Sequence, residues 1–216
     1  MKFAALALCL VLLACDSEVK QARANLSSTD PVLRAEACRV LGEHKDKVSA
    51  PKVIELLKDE DTDVRKQAAR ALGNFEDLAA VEPLAAFYAQ EQVEDVADAG
   101  VKSLIALGDS SVQPLLGLAR AGRVWVRAGA ARALGKLKAR AAVDQLIWML
   151  DDREPDVRIA AVHALREIGD ERGTEALARA VEDEDPDVEG AAEKALSGEG
   201  YEEQLDKAKR LARLRY

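Results

Sequence analysis

The cysteines and histidines are the side chains of this 216-residue chain best suited to bind a transition metal or to act as nucleophile and base. There are three cysteines and two histidines: Cys9, Cys15, Cys38, His44 and His163. The histidines lie in different parts of the sequence, and no His-Glu-x-x-His, Gly-x-Ser-x-Gly or glycine-rich phosphate motif accompanies them. The sequence therefore predicts no catalytic residue, no metal site and no cofactor, and the protein is expected not to be an enzyme.

Cys15 is the exception because of the segment that precedes it. Lys2 is followed by an uninterrupted apolar run from Phe3 to Ala14, which is the pattern of a secretory signal. The sequence Leu-Leu-Ala-Cys at 12–15 resembles a bacterial lipobox, which implies cleavage before Cys15 and attachment of a diacylglyceryl group to its thiol. The alternative interpretation is an N-terminal helix that caps the fold.

The lipobox resemblance also implies how the chain is divided. Residues 1–14 are then a lipoprotein signal peptide, residues 15–18 are the lipidated cysteine with a short tether, and residues 19–216 form the folded part. Buried acyl chains contribute roughly 0.8 kcal/mol per methylene, so two or more chains hold a protein firmly at a membrane. We expect a lipoprotein anchored to a membrane of the bacterial cell envelope, on the periplasmic or extracytoplasmic side.

Composition restricts the fold and the partners. Hydrophobic residues make up 49% of the chain, enough for a sizeable core, but aromatic residues only 4%, which favours close-packed helices over strands. Acidic side chains outnumber basic ones by 39 to 31, so the formal net charge is −8. A chain without a basic surplus does not attract phosphate backbones, and we therefore expect no nucleic-acid partner.

A 31-residue period organises the sequence. Apolar side chains recur at this interval at Val53, Leu84, Leu115, Leu146 and Leu177. Each unit contains a first helix, like the one predicted at 61–73, and a second helix, like the one at 81–88. Because the apolar stripe of one unit is buried only by stacking against the next, the period predicts an all-α superhelix, an α-solenoid. About six two-helix repeats follow an N-terminal half-repeat that begins at residue 19.

The first-helix sequence Asp-x-Asp-Val-Arg-x-x-Ala-Ala-x-Ala-Leu-Gly at 61–73 resembles HEAT-like repeats, particularly the short type of the phycobilisome lyases. This resemblance covers about residues 19–215. It implies a structural ladder in which the first-helix arginines hydrogen-bond to the acidic turns. The arginines are Arg34, Arg65, Arg127 and Arg158, and the acidic residues expected to accept these bonds include Asp61, Asp63 and Asp156.

Residues at the helix ends fit this organisation. Asp30, Asp61 and Asp185 are predicted to be N-caps. Glycines near the ends of the first helices are predicted to be C-caps in the left-handed conformation; they are Gly42, Gly73, Gly108 and Gly135.

The fourth repeat departs from the acidic pattern at its turn. Arg120, Arg123 and Trp125 occupy this turn, and Trp148 is predicted to point outward from the following second helix. The HEAT-like resemblance implies that this outward side is the concave face of the solenoid. Tryptophan and arginine are the residues enriched in binding hot spots, so these four are candidate partner-binding residues. The alternative is that the indole rings fill packing holes left by neighbouring glycines.

These observations favour a non-enzymatic scaffold that mediates protein–protein interaction at the cell envelope. The expected partner is a protein or peptide on the concave face. The alternative, which the repeat type implies, is a bilin-lyase-like or other cofactor-handling enzyme or chaperone.

Overall fold

The computed structural model describes residues 16–197, which form twelve α-helices joined by short turns and contain no strand. Cys9, Cys15 and the second helix expected for the sixth repeat lie outside the described residues. The helices span 16–25 (α1), Pro31–Glu43 (α2), Ala50–Glu55 (α3), Thr62–Phe75 (α4), Val81–Gln90 (α5), Glu94–Ala106 (α6), Val112–Leu118 (α7), Val124–Lys136 (α8), Val143–Met149 (α9), Pro155–Ile168 (α10), Glu171–Ala180 (α11) and Pro186–Leu196 (α12).

The helix order confirms the prediction of an all-α solenoid. α1 is the half-repeat, α2 to α11 are five pairs of first and second helices, and α12 is the first helix of the sixth repeat. Residues 16–18, predicted to be a tether, are already helical.

The described chain divides into two compact units, one ending at Leu107 and the other beginning at Gly108. In the first unit α2, α4 and α6 pack side by side, with α3 against α4 and α5 against α6. In the second unit α8, α10 and α12 pack side by side and are covered by α7, α9 and α11. Each unit is therefore a layer of first helices on a layer of second helices.

The residues that define the 31-residue period form the core of these layers. Val53, Leu84, Leu115, Leu146 and Leu177 are each at most 1% exposed. Burying such a side chain contributes about 1.5–3 kcal/mol relative to leaving it in water. The residues that recur every 31 positions in the sequence are therefore core residues of successive repeats.

Aspartates begin several of the helices, as predicted. The Asp30 carboxylate accepts a hydrogen bond from the Val32 N–H, and Asp61 and Asp185 each accept two from their first turns. Each cap satisfies backbone donors that have no partner within the helix.

Three of the glycines predicted to be C-caps have another role. Gly42, Gly73 and Gly135 lie within α2, α4 and α8, and of the four glycines predicted to be C-caps Gly108 alone adopts a positive φ. A Cβ atom on Gly135 would lie 2.7 Å from the Cα of Ala164 on α10. The prediction was wrong for these three because it considered only the local chain, whereas their small size is required by a neighbouring first helix.

Candidate interaction surface and the arginine ladder

Four arginines, three of them buried and Arg65 partly buried, join successive turns inside the two units. In the second unit the Arg127 guanidinium donates two hydrogen bonds of 2.8 Å to the Asp152 carboxylate, and Arg158 pairs with Asp183 in the same way. In the first unit Arg34 pairs with Asp59 at 2.7 Å. These side chains are close to fully buried: Arg127 is 7% exposed and Asp152 6%.

The fourth pair differs only in its acid. Arg65 Nε lies 2.6 Å from a carboxylate oxygen of Glu91. The remaining guanidinium nitrogen of each arginine donates to backbone carbonyls of the turn before its own helix, as Arg127 does to Ala121 and Gly122. Each arginine therefore ties the turn before its helix to the turn of the next repeat.

The acidic residues of the ladder are not those predicted. Asp61 uses its carboxylate to cap α4, so it is occupied by the Asp63 and Val64 N–H groups. Asp63 and Asp156 lie in the first turns of α4 and α10, and the arginines bond instead to acids that precede the cap. The prediction of Asp61, Asp63 and Asp156 as acceptors was therefore wrong.

The actual acceptors can be recognised from a spacing that the sequence analysis missed. Asp59 and Asp183 stand two residues before the N-caps Asp61 and Asp185, and their carboxylates accept the N–H of those caps. Asp152 does the same for Glu154. An acid two residues before the N-cap satisfies its own turn and the arginine of the preceding repeat together.

The ladder lowers the pKa values of three carboxyl groups. Burial alone raises the pKa of Asp152, but the hydrogen bonds from Arg127 and the Glu154 N–H, with the Arg127 charge, outweigh burial and lower it. Burial and hydrogen bonding oppose each other in the same way at Asp59 and Glu91, whose pKa values are also lowered. All three groups therefore favour the ionised form in the folded protein.

This predicts acid sensitivity. Unfolded Asp and Glu titrate near pH 3.9 and 4.3, and the folded pKa values lie lower, so in acid the unfolded chain binds more protons than the folded one. The stabilisation is complete above the unfolded pKa values and is lost as the pH falls through the folded ones. Urea unfolding between about pH 7 and 3 should show falling stability below about pH 5. Asp152→Asn should flatten the decline, and an equally steep decline would contradict this assignment.

A groove lies between α7 and α9 in the second unit. Its volume is about 780 Å³, and Trp148, which is 59% exposed, lies on its α9 side. The other lining residues are Gln113, Leu116, Gly117, Arg120, Ala141, Asp144 and Gln145. An exposed indole beside a concave surface is unusual, because large apolar side chains are normally covered.

Polar contacts fix the walls of this groove. Arg120 Nε donates to Gln145 Oε1 at 2.7 Å, and Asp144 accepts a hydrogen bond of 2.8 Å from Arg172 on α11. The Gln145 amide nitrogen is buried with no acceptor among the described residues. The groove therefore combines an apolar ring, a cation and an amide donor without an acceptor.

The four predicted partner-binding residues separate into two pairs. Trp148 and Arg120 line the groove, whereas Arg123 and Trp125 are absent from its lining. The Arg123 guanidinium lies 5.9 Å from the centre of the half-buried Trp125 ring at the start of α8, within the range of a cation–π contact. The structure thus brings together one tryptophan and one arginine of the predicted site.

The sequence analysis missed the polar residues of the groove. Gln113 lies three positions before Leu116, so these two residues share one face of α7, and Arg120 follows in the turn after the helix. Asp144 and Gln145 similarly lie four and three positions before Trp148 on α9. This helical spacing could have identified them once Trp148 was assigned to an outward face.

A second groove, of about 510 Å³, occupies the equivalent place between α3 and α5 in the first unit. Phe87 and Leu57 on its lining are buried and Ala86 is exposed, so it offers no large exposed apolar side chain. Its end is formed by the ladder pair of Arg65 and Glu91. The groove beside Trp148 is therefore the better candidate site.

The reactive groups named at the outset are not assembled into a centre. Cys38 is fully buried, and burial followed by the charge of Asp59 raises the pKa of its thiol to about 12. Residues 16–197 hold no group of three or more His, Cys, Asp or Glu side chains arranged to bind a metal. Within the same residues no helix has the length and apolar character needed to cross a bilayer.

Solved structures similar to this chain are repeat proteins. The complex of CpcE and CpcF of phycocyanin lyase from Nostoc sp. PCC7120 is 25% identical, with a TM-score of 0.55 over 82% of this chain and 75% of that chain. YibA of Escherichia coli is 19% identical, with a TM-score of 0.56 over 85% and 73%. Computationally designed armadillo repeat proteins for modular peptide recognition are 20% identical, with a TM-score of 0.50 over 82% and 97%.

No curated protein matches the chain. The HEAT repeats family, in contrast, matches residues 19–105 and 106–213. These matches cover most of the sequence and coincide with the stacked helical pairs and the arginine ladder. The chain belongs to the HEAT repeat family.

Proposed function

We propose that this protein is a non-enzymatic scaffold that binds a protein or peptide through the groove between α7 and α9. The observation that carries the proposal is the exposure of Trp148 beside Arg120 on that groove. We further propose that a lipid on Cys15 holds the scaffold at a membrane of the bacterial cell envelope.

The groove has the composition of a binding hot spot. Trp and Arg are enriched where truncation costs a complex 2 kcal/mol or more. Trp148 offers a large apolar surface at small conformational cost, and Arg120 offers a cation on the same groove. The chemistry favours a partner segment that places an apolar side chain on the indole and a carboxylate near Arg120.

An extended peptide suits the shape of the groove, because its lining side chains come from two neighbouring second helices, α7 and α9, and from the turns beside them. A surface built on packed helices also loses little conformational freedom on binding.

The membrane anchor rests on the sequence before the described residues. Lys2, the apolar run and the Leu-Leu-Ala-Cys sequence at 12–15 favour processing and lipidation of Cys15. Mass spectrometry of the mature protein from the native host tests this step. A diacylated or triacylated Cys15 at the N-terminus is the expected result, and an intact N-terminal methionine would contradict it.

Photo-crosslinking tests the groove. A benzoylphenylalanine at position 148 should capture a defined partner in native membranes, whereas the same probe at His163 should not. His163 is an exposed residue of α10 in the same unit, so it controls for random encounters. Equal capture at both positions would contradict a specific groove.

Similarity to the phycocyanin lyase complex favours a second candidate, a bilin-handling enzyme or chaperone. A chromophore-binding protein would carry a visible absorbance band after incubation with a free bilin. The scaffold proposal predicts no change in the absorption spectrum of the bilin, and a shifted, saturable band would favour the second candidate.

A further inference from the structure

One edge of the first unit contains residues 16–18 of α1 and the loops that follow α2 and α4. We call it the anchor edge and define it by residues 16–18, 44–49 and 76–80. Glu18 lies 3.5 Å from His44, which caps the end of α2. Lys45 forms an ion pair with Glu76, and Lys47 donates to the Glu76 carbonyl at 3.2 Å. These contacts place the three segments side by side.

The anchor edge exposes apolar side chains in its loops. Val48 is 77% exposed and Leu78 is 60% exposed. The positions that follow Leu78 at intervals of 31 residues hold Asp109, Arg140 and Glu171, so the repeat itself does not require an apolar residue there. These loops leave apolar surface in water, which is unfavourable unless something covers it.

Acidic side chains are fewer at the anchor edge than at the opposite edge of the same unit. The anchor edge contains five acidic residues and two lysines, and three of its acids, Glu18, Asp46 and Glu76, lie beside His44, Arg23 and Lys45. The opposite edge also exposes apolar side chains, with Val32 at 71%, Leu33 at 41% and Val93 at 42%. It carries further acidic side chains around the starts of α4 and α6, which are Glu60, Asp61, Asp63, Glu94 and Asp95, the last of these paired with Lys66. Anionic lipid headgroups would repel that edge more strongly than the anchor edge.

The covalent link between Cys15 and residue 16 fixes the distance from the proposed lipid to α1. Because residue 16 is already helical, Cys15 is separated from α1 by a single peptide link, and one residue spans at most about 3.6 Å. α2 has 13 residues and is about 20 Å long at 1.5 Å per residue. A lipid on Cys15 therefore brings the anchor edge to the headgroups and leaves the edge with Val32 roughly one helix length away.

We propose that the anchor edge lies on a phospholipid bilayer, with Val48 and Leu78 inserted among the headgroups. This inference rests on the proposed lipidation of Cys15 and adds an orientation to it. The first helices of this unit, α2 and α4 among them, are then oriented along the membrane normal and lie outside the bilayer. Their acidic N-terminal edge faces away from the lipid. The anchor edge then meets the headgroups with fewer acidic side chains than the opposite edge would bring.

Fluorescent labelling of the lipidated protein, expressed from the full sequence and processed in the cell, tests the orientation. Val48→Cys and Leu78→Cys place a reactive thiol on the anchor edge, and Val32→Cys is the matched control, the same substitution at similar exposure on the opposite edge. The native Cys38 thiol is buried and its pKa is raised to about 12, so it should react poorly with the label. Each purified variant is labelled with an environment-sensitive dye and reconstituted into vesicles of phosphatidylethanolamine and phosphatidylglycerol.

The expected result is a blue-shifted emission at positions 48 and 78 and several-fold stronger quenching there by headgroup nitroxides than at position 32. Mass spectrometry of the same samples reports the lipid on Cys15. Equal quenching at all three positions with Cys15 acylated would overturn the orientation and leave the anchor intact. An unmodified Cys15 would overturn both. Circular dichroism identical to that of the unsubstituted protein confirms that each variant is folded.

Discussion

Replacing Arg127 with methionine is expected to lower the free energy of unfolding by about 3–5 kcal/mol, because the substitution leaves a buried carboxylate without its counter-charge. Asp152 is 6% exposed and receives two hydrogen bonds from Arg127. The carbonyls of Ala121 and Gly122 lose their arginine donor as well. Urea unfolding at neutral pH, followed by circular dichroism, measures the loss.

Lys136→Met provides the matched control. The ion pair between Lys136 and Glu167 also joins neighbouring repeats of the second unit, but its side chains are 63% and 38% exposed. Solvent-exposed pairs contribute at most about 1 kcal/mol, so this variant should unfold close to the unsubstituted protein. A loss at Arg127 no larger than the loss at Lys136 would contradict a structural role for the ladder.

The double variant of Arg127→Met and Asp152→Asn separates two causes of the loss. If the cost comes mainly from an uncompensated charge, neutralising Asp152 should recover part of the stability lost in the single variant. Additive losses from the two substitutions would instead mean that each side chain acts through separate contacts. We expect partial recovery in the double variant, because Arg127 and Asp152 are buried together and each compensates the charge of the other.

The sequence predicted the fold well because its strongest signals are periodic. Val53 and Leu84 occupy equivalent positions of successive repeats, and both are buried. Each repeat buries the same apolar stripe against its neighbour, so core residues recur at the repeat length of 31. The HEAT-like resemblance implied which arginines form the ladder. Their acceptors were not predicted correctly, because a carboxylate at a turn has several donors within reach. The N-cap Asp61 is occupied by its own helix, whereas Asp59 faces Arg34.

The glycines and the groove depend on contacts that the period does not specify. Gly135 is small because Ala164 approaches it, and this distance depends on how two first helices pack. Trp148 was correctly assigned to an outward position, but a groove also needs the facing residues of α7. Trp125 lies on the first helix α8 rather than on the second-helix face. The sequence analysis grouped it with Trp148 because both are tryptophans beside arginines, but Trp125 does not line the groove.

Replacing Trp148 with alanine is expected to weaken partner binding about 30-fold or more, which corresponds to a loss of at least about 2 kcal/mol at a hot spot. The stability of the free protein should change by only about 0.5 kcal/mol, since the indole is largely in solvent. Affinity is measured by titration with the partner captured at position 148, and stability by urea unfolding.

Trp125→Ala is the comparison that tests the packing alternative. Its ring is half-buried at the start of α8 and lies against Arg123, so its removal should lower stability more than removal of Trp148 does. Truncating a tryptophan that fills a core costs about 3–5 kcal/mol. A loss of that size at Trp148, with affinity unchanged, would mean that the exposed indole packs the repeat and that the partner binds elsewhere. If Trp148→Ala instead weakens binding and leaves the free energy of unfolding unchanged, Trp148 is a partner-binding residue. Only a contact that is made in the complex can lower affinity without lowering the stability of the free protein.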